Sequence, residues 1–455
     1  MKKYLALIGA MILVMALTSP ALAAADWAKQ FKATSVFQIW SVWLTQQDFK
    51  TNDADTEVTT KGISSRINFF LQWGDPKYVR GTIGFEADST NWGESAWDNT
   101  GTTANPSGRM GTRNTDQVQL EIKRAYLEFT IPNTPIIVTP GIQGFAYGGR
   151  LLQSIDTPGL KVTANFAPHK IEAAWLRYNE TSRTTYGVND IYGLIYDLKQ
   201  KEFNINAFGF YENDLSNATY QDHPYWIGVG GGFRPGNLAL SGQFVYVGGK
   251  RDYVTATDYD YSGWAAELLG QVKIGPGLSV AAEGFYATGN DANDATKKKQ
   301  YFRPAGSESH SNFGLGRTVF FFMNFSQLGN QHNKQSDFGG MYYGRLNGIY
   351  SPMPWMQLSG NYLYLGDTSK GDPANVATGG NINSPTGATQ IVDKDFIGHE
   401  INLITTLRIY QNFTYNIGIG YFIPGDVYDV YDSSANKTKN AENAWAVNTG
   451  MQLSF

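Results

Sequence analysis

The sequence predicts an all-β fold: a transmembrane antiparallel β-barrel of eighteen strands, with sixteen as the alternative count. Three observations carry this expectation. The first is the last stretch, Ala444 to Phe455. Trp445, Val447, Met451, Leu453 and Phe455 share one side of it, and Asn448, Gly450, Gln452 and Ser454 share the other. Thr449 is the lapse on the apolar side. An apolar edge of this length is a pairing hazard, which is removed if the last strand pairs with the first and closes a ring. The second is the rhythm of connections. Eight short turns follow the even strands and nine long loops follow the odd ones, so that tight turns gather at one end and loops at the other, as in a membrane barrel. The third is composition. Aromatics make up 14% of the 455 residues, with 50 glycines and no cysteine. Mean hydropathy is -0.32, and past the leader no apolar run is long enough for a spanning helix. A barrel hides its membrane signal, because alternate residues face water.

Residues 1–25 read as a secretory signal. Lys2 and Lys3 precede an apolar run from Tyr4 to Leu17, which Pro20 follows, and Ala21 to Ala25 offer small residues for cleavage. The exported chain is expected to start near Asp26. Its first strand lies around Phe31–Thr45, with faces that the polarity pattern does not sort. In the second, Ile63, Ile67, Phe69, Leu71 and Trp73 oppose Arg66, Asn68 and Gln72. A Gly-Asp-Pro-Lys turn follows at Gly74–Lys77. The third strand turns Val79, Ile83, Phe85 and Ala87 outward, and Arg80, Thr82, Glu86 and Asp88 inward. Over 118–131 the apolar phase shifts between Ile122 and Ala125, which predicts a β-bulge at Lys123–Arg124. A loop is expected over 146–159, followed by strands that meet at short turns through to the closing strand.

Eighteen strands at ~4.8 Å spacing and ~40° tilt close to a ring roughly 35 Å across. Wall side chains cannot fill that width, so the lumen must hold water or inward loops. The residues expected to line or narrow it are Arg66, Arg80 and Arg124, which face Glu86, Asp88 and Glu128 on three successive strands. Opposed arginines and carboxylates set a field across a pore, although ordinary solvated lumen charges would read the same. Glu267, Glu283, Arg345, Glu400 and Arg408 are later inward candidates. The 146–159 loop contains Arg150 and Asp156, with Gly148–Gly149 free to bend tightly. The longest loop, about 290–336, carries Lys297–Lys299 and an apolar run, Arg317 to Phe325, which must bury somewhere. The lysine run reads as solvated, or as a seat for lipid phosphate.

The net charge of -4 is mild and argues against a nucleic-acid partner. The five histidines sit on separate segments, and no metal, nucleophile-elbow or phosphate-loop pattern occurs in the context it needs. No catalytic residue, metal or cofactor is assigned. The acidic stretches 251–261 and 424–432 could offer oxygen ligands to calcium, but their spacing matches no calcium loop.

With the strands laid out, the chain resembles the homotrimeric outer-membrane porins of Desulfovibrio-type bacteria. The resemblance rests on the aromatic opening strand, KRAYLEF at 123–129, GIQGF at 141–145, GHEINL at 398–403 with GYFIPGD at 420–426, and the terminal LSF. It implies a trimer of water-filled barrels in the outer membrane of a Gram-negative bacterium, passing small hydrophilic solutes by diffusion. It also implies a third loop folded into the lumen. The expected partners are outer-membrane lipid and lipopolysaccharide, further copies of the chain, and the barrel-assembly machinery that reads a terminal strand ending in Phe455. The GHEINL and GYFIPGD segments are also similar to the end of alginate-export barrels. A substrate-specific channel, a barrel-wall enzyme and an adhesin are the alternatives.

Overall fold

A computed structural model describes residues 31–45, 60–75, 77–92, 109–110, 120–149, 151–180, 187–291, 294, 296–305, 319, 339–369, 395–426, 430–432, 437–439 and 442–455. The expected leader lies outside the described residues. Eighteen strands form the wall. They are β1 Lys32–Leu44, β2 Thr60–Asp75, β3 Val79–Trp92, β4 Leu120–Thr130, β5 Ile136–Tyr147 and β6 Gln153–Phe166. Next come β7 His169–Glu180, β8 Val188–Lys199, β9 Phe203–Asp214, β10 Tyr220–Phe233, β11 Leu238–Tyr253 and β12 Tyr259–Gly275. The ring is completed by β13 Leu278–Ala287, β14 Met341–Met353, β15 Met356–Asp367, β16 Phe396–Tyr410, β17 Phe413–Pro424 and β18 Ala444–Ser454.

Each strand pairs antiparallel with the next, and β18 pairs with β1 from Val36↔Ser454 to Leu44↔Ala446. The apolar edge of the last strand is therefore no edge. The lapse at Thr449 has a partner: its hydroxyl lies 2.9 Å from that of Ser41 on the outer side of the seam. On the inner side, Gln38 donates to Gln452 over 3.0 Å.

Outward positions are large, apolar and exposed around the ring, among them Leu194, Ile227, Leu268, Leu346, Ile401 and Ile419. Such a belt on a closed wall marks a membrane-spanning surface. Trp43 and Trp445 pack at 5.3 Å near the rim that carries the loops, a position that suits an amphipathic ring. Tight turns at 167–168, 276–277, 354–355 and 411–412 gather at the opposite rim.

The inner face has two tiers. Toward the turns it is polar, with bonded pairs such as Thr163–Glu172, Gln271–Ser279 and Thr406–Asn416. Toward the loops it is apolar, with Trp40, Val42, Leu176, Ile191, Phe208, Trp226, Val245 and Phe285 buried. This explains the unsorted faces of β1: Trp40 and Val42 point inward, so polarity does not alternate there. The expected bulge is present. Gly84 pairs with Arg124 and Phe85 with Ile122, leaving Lys123 as the extra residue.

The reading of 146–159 as a loop is corrected. β5 and β6 stay paired up to Tyr147↔Gln153, and only 148–152 turns the chain. The hairpin departs from the wall instead. β4 pairs with β5 only as far as Ala125↔Ile142, and β6 pairs with β7 only as far as Gly159↔Leu176. Beyond those points the two strands bend into the barrel as a ribbon. Asp156 and Pro158 keep ladder partners in it, Gly144 and Ile142.

Candidate functional site

The lumen is the candidate site. On β2–β4 the inward charges converge. Glu86 is buried, with Lys123 Nζ at 2.5 Å and Arg66 Nε at 3.8 Å. The bulge turns Lys123 and Arg124 together toward the ribbon. There Asp156 receives Lys123 at 3.4 Å and Arg124 at 3.3 Å. The Arg124 guanidinium also lies over the Phe70 ring, 5.3 Å from its centroid. Nearer the turns, Arg80 holds Glu128 at 2.6 Å. Arg66, Arg80, Arg124, Glu86, Glu128 and Asp156 therefore share one arc, each charge with an opposite neighbour. The Asp88 side chain and Arg150 lie outside the described residues. Lys123 was missed as a lining residue; the phase shift at the bulge was its signal.

The ribbon carries this arc across the interior. Its far face packs on the inner wall of β7–β11. Leu151 and Leu152 are fully buried, and Phe145, Tyr147 and Ile155 nearly so. Tyr147 donates to Glu172 on β7 over 2.5 Å and packs on Phe210 at 5.2 Å. Gln243 on β11 donates to the Gly148 carbonyl. The turn is made by Gly148 and Gly149, whose φ values of 59° and 53° suit glycine.

Part of the long β13–β14 connection joins the ribbon inside. Tyr301 is fully buried and its hydroxyl donates to the Leu151 carbonyl. Trp226 Nε1 donates to the Phe302 carbonyl at 2.8 Å, and the two rings meet edge to face. Two buried wall carboxylates accept backbone amides of this connection: Glu212 from Ala305 at 3.2 Å and Glu400 from Val319 at 2.7 Å. Most of the apolar run from Arg317 to Phe325 lies outside the described residues, but Val319 is fully buried. The lysine run is not simply solvated. Lys297 and Lys298 pair alongside Asp260 and Tyr261, Lys298 donates to the Tyr259 hydroxyl, and Lys299 lies 3.3 Å from Asp294. Burial, and then the charge of Arg251, hold the Lys298 ammonium below its ordinary pKa.

Across β13–β16 the inner wall carries a connected polar chain. Arg345 holds Glu283 through Nε at 2.8 Å and Nη2 at 2.6 Å, and Tyr343 donates to the other Glu283 oxygen at 2.7 Å. Arg345 also donates to Asn361, Asn361 to Asn402, and Asn402 to Glu400. Arg345 and Glu283 are 6% and 4% exposed, so removing one partner strands a buried charge. Arg345→Met is expected to cost about 3–5 kcal/mol, read as a lower urea midpoint of the barrel in lipid vesicles. An unchanged midpoint would mean that water reaches this pair freely. Arg408 is exposed near the turns, and Glu267 lines a recess on the opposite side.

His169, His223 and His399 stand on separate strands, where their Nδ1 atoms meet the hydroxyls of Tyr196, Tyr211 and Tyr362 at 2.8, 3.2 and 2.8 Å. Among the described residues, no group of three histidine or carboxylate side chains could hold a metal ion.

No family model matches the chain, and no curated protein matches it significantly. Solved structures do. The Pseudomonas aeruginosa protein OpdK, crystallised with vanillate, is similar over 93% of this chain and 98% of its own, with a TM-score of 0.51 and 9% identity. OpdQ from the same organism is similar over 94% and 98%, with a TM-score of 0.51 and 10% identity. At that identity the likeness is one of fold.

Proposed function

We propose that this chain forms a water-filled channel across the outer membrane of a Gram-negative bacterium, through which small hydrophilic solutes diffuse down their gradient. One observation carries the reading: a closed eighteen-strand wall is apolar outside, and inside it carries a polar tier toward the turns and the charged arc of β2–β4. The reading includes no covalent step. A substrate-selective channel is the second reading, favoured by the ribbon and the β13–β14 segment, which partition the lumen. The vanillate in OpdK belongs to that protein. The long loops would face outside the cell and the turns the periplasm.

The resemblance to trimeric porins supports a homotrimer, to be tested by native mass measurement. The exposed belt would contact lipid and lipopolysaccharide. The terminal strand, with Phe455 exposed, suits recognition by the assembly machinery. The test of function is single-channel recording in planar bilayers: steady ohmic steps are expected, and their absence from folded protein would defeat the reading. Arg66, Arg80 and Arg124 each stand beside a carboxylate. Replacing all three with glutamine leaves Glu86, Glu128 and Asp156 with less compensation. The reversal potential in a salt gradient is expected to move toward cations; an unchanged potential would remove this arc from the ion path.

A further inference from the structure

Below the ribbon tip, on the side away from the cationic arc, the inner wall of β9–β12 opens into a recess of about 330 Å³. Its chemistry differs from that arc. Asn204 and Asn206 on β9, Gln243 on β11 and Gln271 on β12 supply four amides, and Ser241 supplies a hydroxyl. Glu267 and Arg234 add one charge of each sign, and no aromatic ring lines it. The tip itself, at Gly149, forms the upper boundary.

The sequence builds this recess by omission. β10 places glycine at the inward positions 230 and 232, where the flanking strands carry Asn206 and Gln243, and Asn204 and Ser241. A Cβ at Gly230 would stand 2.5 Å from Asn206 Oδ1, and one at Gly232 would stand 2.9 Å from Asn204 Oδ1. The missing side chains let both amides lie flat across the neighbouring strand. Asn206 Oδ1 is buried there without a protein donor. A buried acceptor left in that state is costly unless a ligand or solvent supplies the donor.

We propose that this recess is a binding station for an uncharged, hydroxyl-rich solute of about the size of a simple sugar. The proposal rests on the channel reading and names a substrate class for it. A hydroxyl both donates and accepts, and so does each carboxamide. Asn204 and Asn206 therefore meet a hydroxyl in either sense, and Gln243 and Gln271, whose Nε2 groups donate to the Gly148 carbonyl and to Ser279, add acceptor oxygens. The balanced charge gives no preference for an anion or a cation, and the absence of rings gives none for an aromatic solute. The volume sits at the small end of ligand sites.

The experiment is ion-current recording through the full-length protein in planar bilayers, with glucose as the probe and gluconate as its charged counterpart. Glucose is expected to reduce the current in a saturable way, and gluconate to do so more weakly. Asn206→Leu keeps the volume and removes the amide. It should raise the half-blocking glucose concentration about tenfold and leave the open-channel current unchanged. Gly230→Val should do the same by displacing the amide and filling the recess. A current insensitive to glucose would overturn the proposal, as would stronger block by gluconate. Block that survives Asn206→Leu would overturn it as well. Absence of any ion current would instead defeat the channel reading on which it stands.

Discussion

Deletion of residues 444–455 is expected to leave no folded barrel. β18 is hydrogen-bonded on both sides, to β17 from Phe413↔Leu453 to Phe422↔Ala444 and to β1 from Val36↔Ser454 to Leu44↔Ala446. Without it, two full strand edges are left bare. Each unpaired amide or carbonyl costs several kcal/mol in hydrocarbon, against a total stability of about 5–15 kcal/mol for a typical protein. The measurement is recovery of a heat-modifiable folded band from the outer-membrane fraction. A truncated chain that still gave such a band would mean that β1 and β17 can seal directly. Removing Phe455 alone is a milder test. It deletes the backbone pair with Ser35, at 2.9 and 3.2 Å, and leaves the rest of the ladder intact. Poor assembly in cells with normal refolding in vitro would then assign Phe455 to recognition by the assembly machinery.

The double substitution of Leu151→Asp and Leu152→Asp is expected to release the ribbon and raise single-channel conductance severalfold. Both leucines are fully buried among the inward side chains of the upper tier. A carboxylate there has no partner and costs several kcal/mol. Polar contacts also hold the ribbon: Gln243 and Tyr301 donate to the Gly148 and Leu151 carbonyls, Tyr147 to Glu172, Thr157 to the Arg177 carbonyl, and Asp156 pairs with Lys123 and Arg124. The upper ribbon takes no part in the wall ladder, so the ring should survive its displacement. Thermal stability near that of the parent, together with larger current steps, is the expected pair of readings. Unchanged conductance in a folded variant would place the ion path elsewhere.

Most of the wall was legible in the sequence because lipid on one side and water on the other impose a two-residue period. Strands such as β13, whose positions alternate between exposed and buried without a break, read cleanly. The sequence misled where the inside is not wet. Trp40 and Val42 blurred β1 because they pack inward in the apolar tier. The segment 146–159 reads as a loop from its place in the order of connections, yet from Gln153 onward it is strand, and the back of the ribbon faces charged wall rather than lipid. Adjacent leucines at 151 and 152 were the available hint, since two such residues do not stay in solvent. The amide-lined recess escaped notice because it is made by glycines at inward positions on one strand and asparagines on the next. Only the register Asn206↔Gly230 and Asn204↔Gly232 brings them together.

The hydroxyl pair at the seam settles a question that hydrophobic alternation leaves open. Shifting β18 by one residue against β1 would turn every side chain over, and the greasy pattern forbids it. A shift by two keeps each face intact and escapes that veto. It would, however, set Ser41 against Val447 or Met451 in place of Thr449, leaving two hydroxyls in hydrocarbon with nothing to bond. At about 1–3 kcal/mol for each orphaned group, the Ser41–Thr449 couple on the oily side of this seam acts as the alignment mark by which the ring closes in a single way.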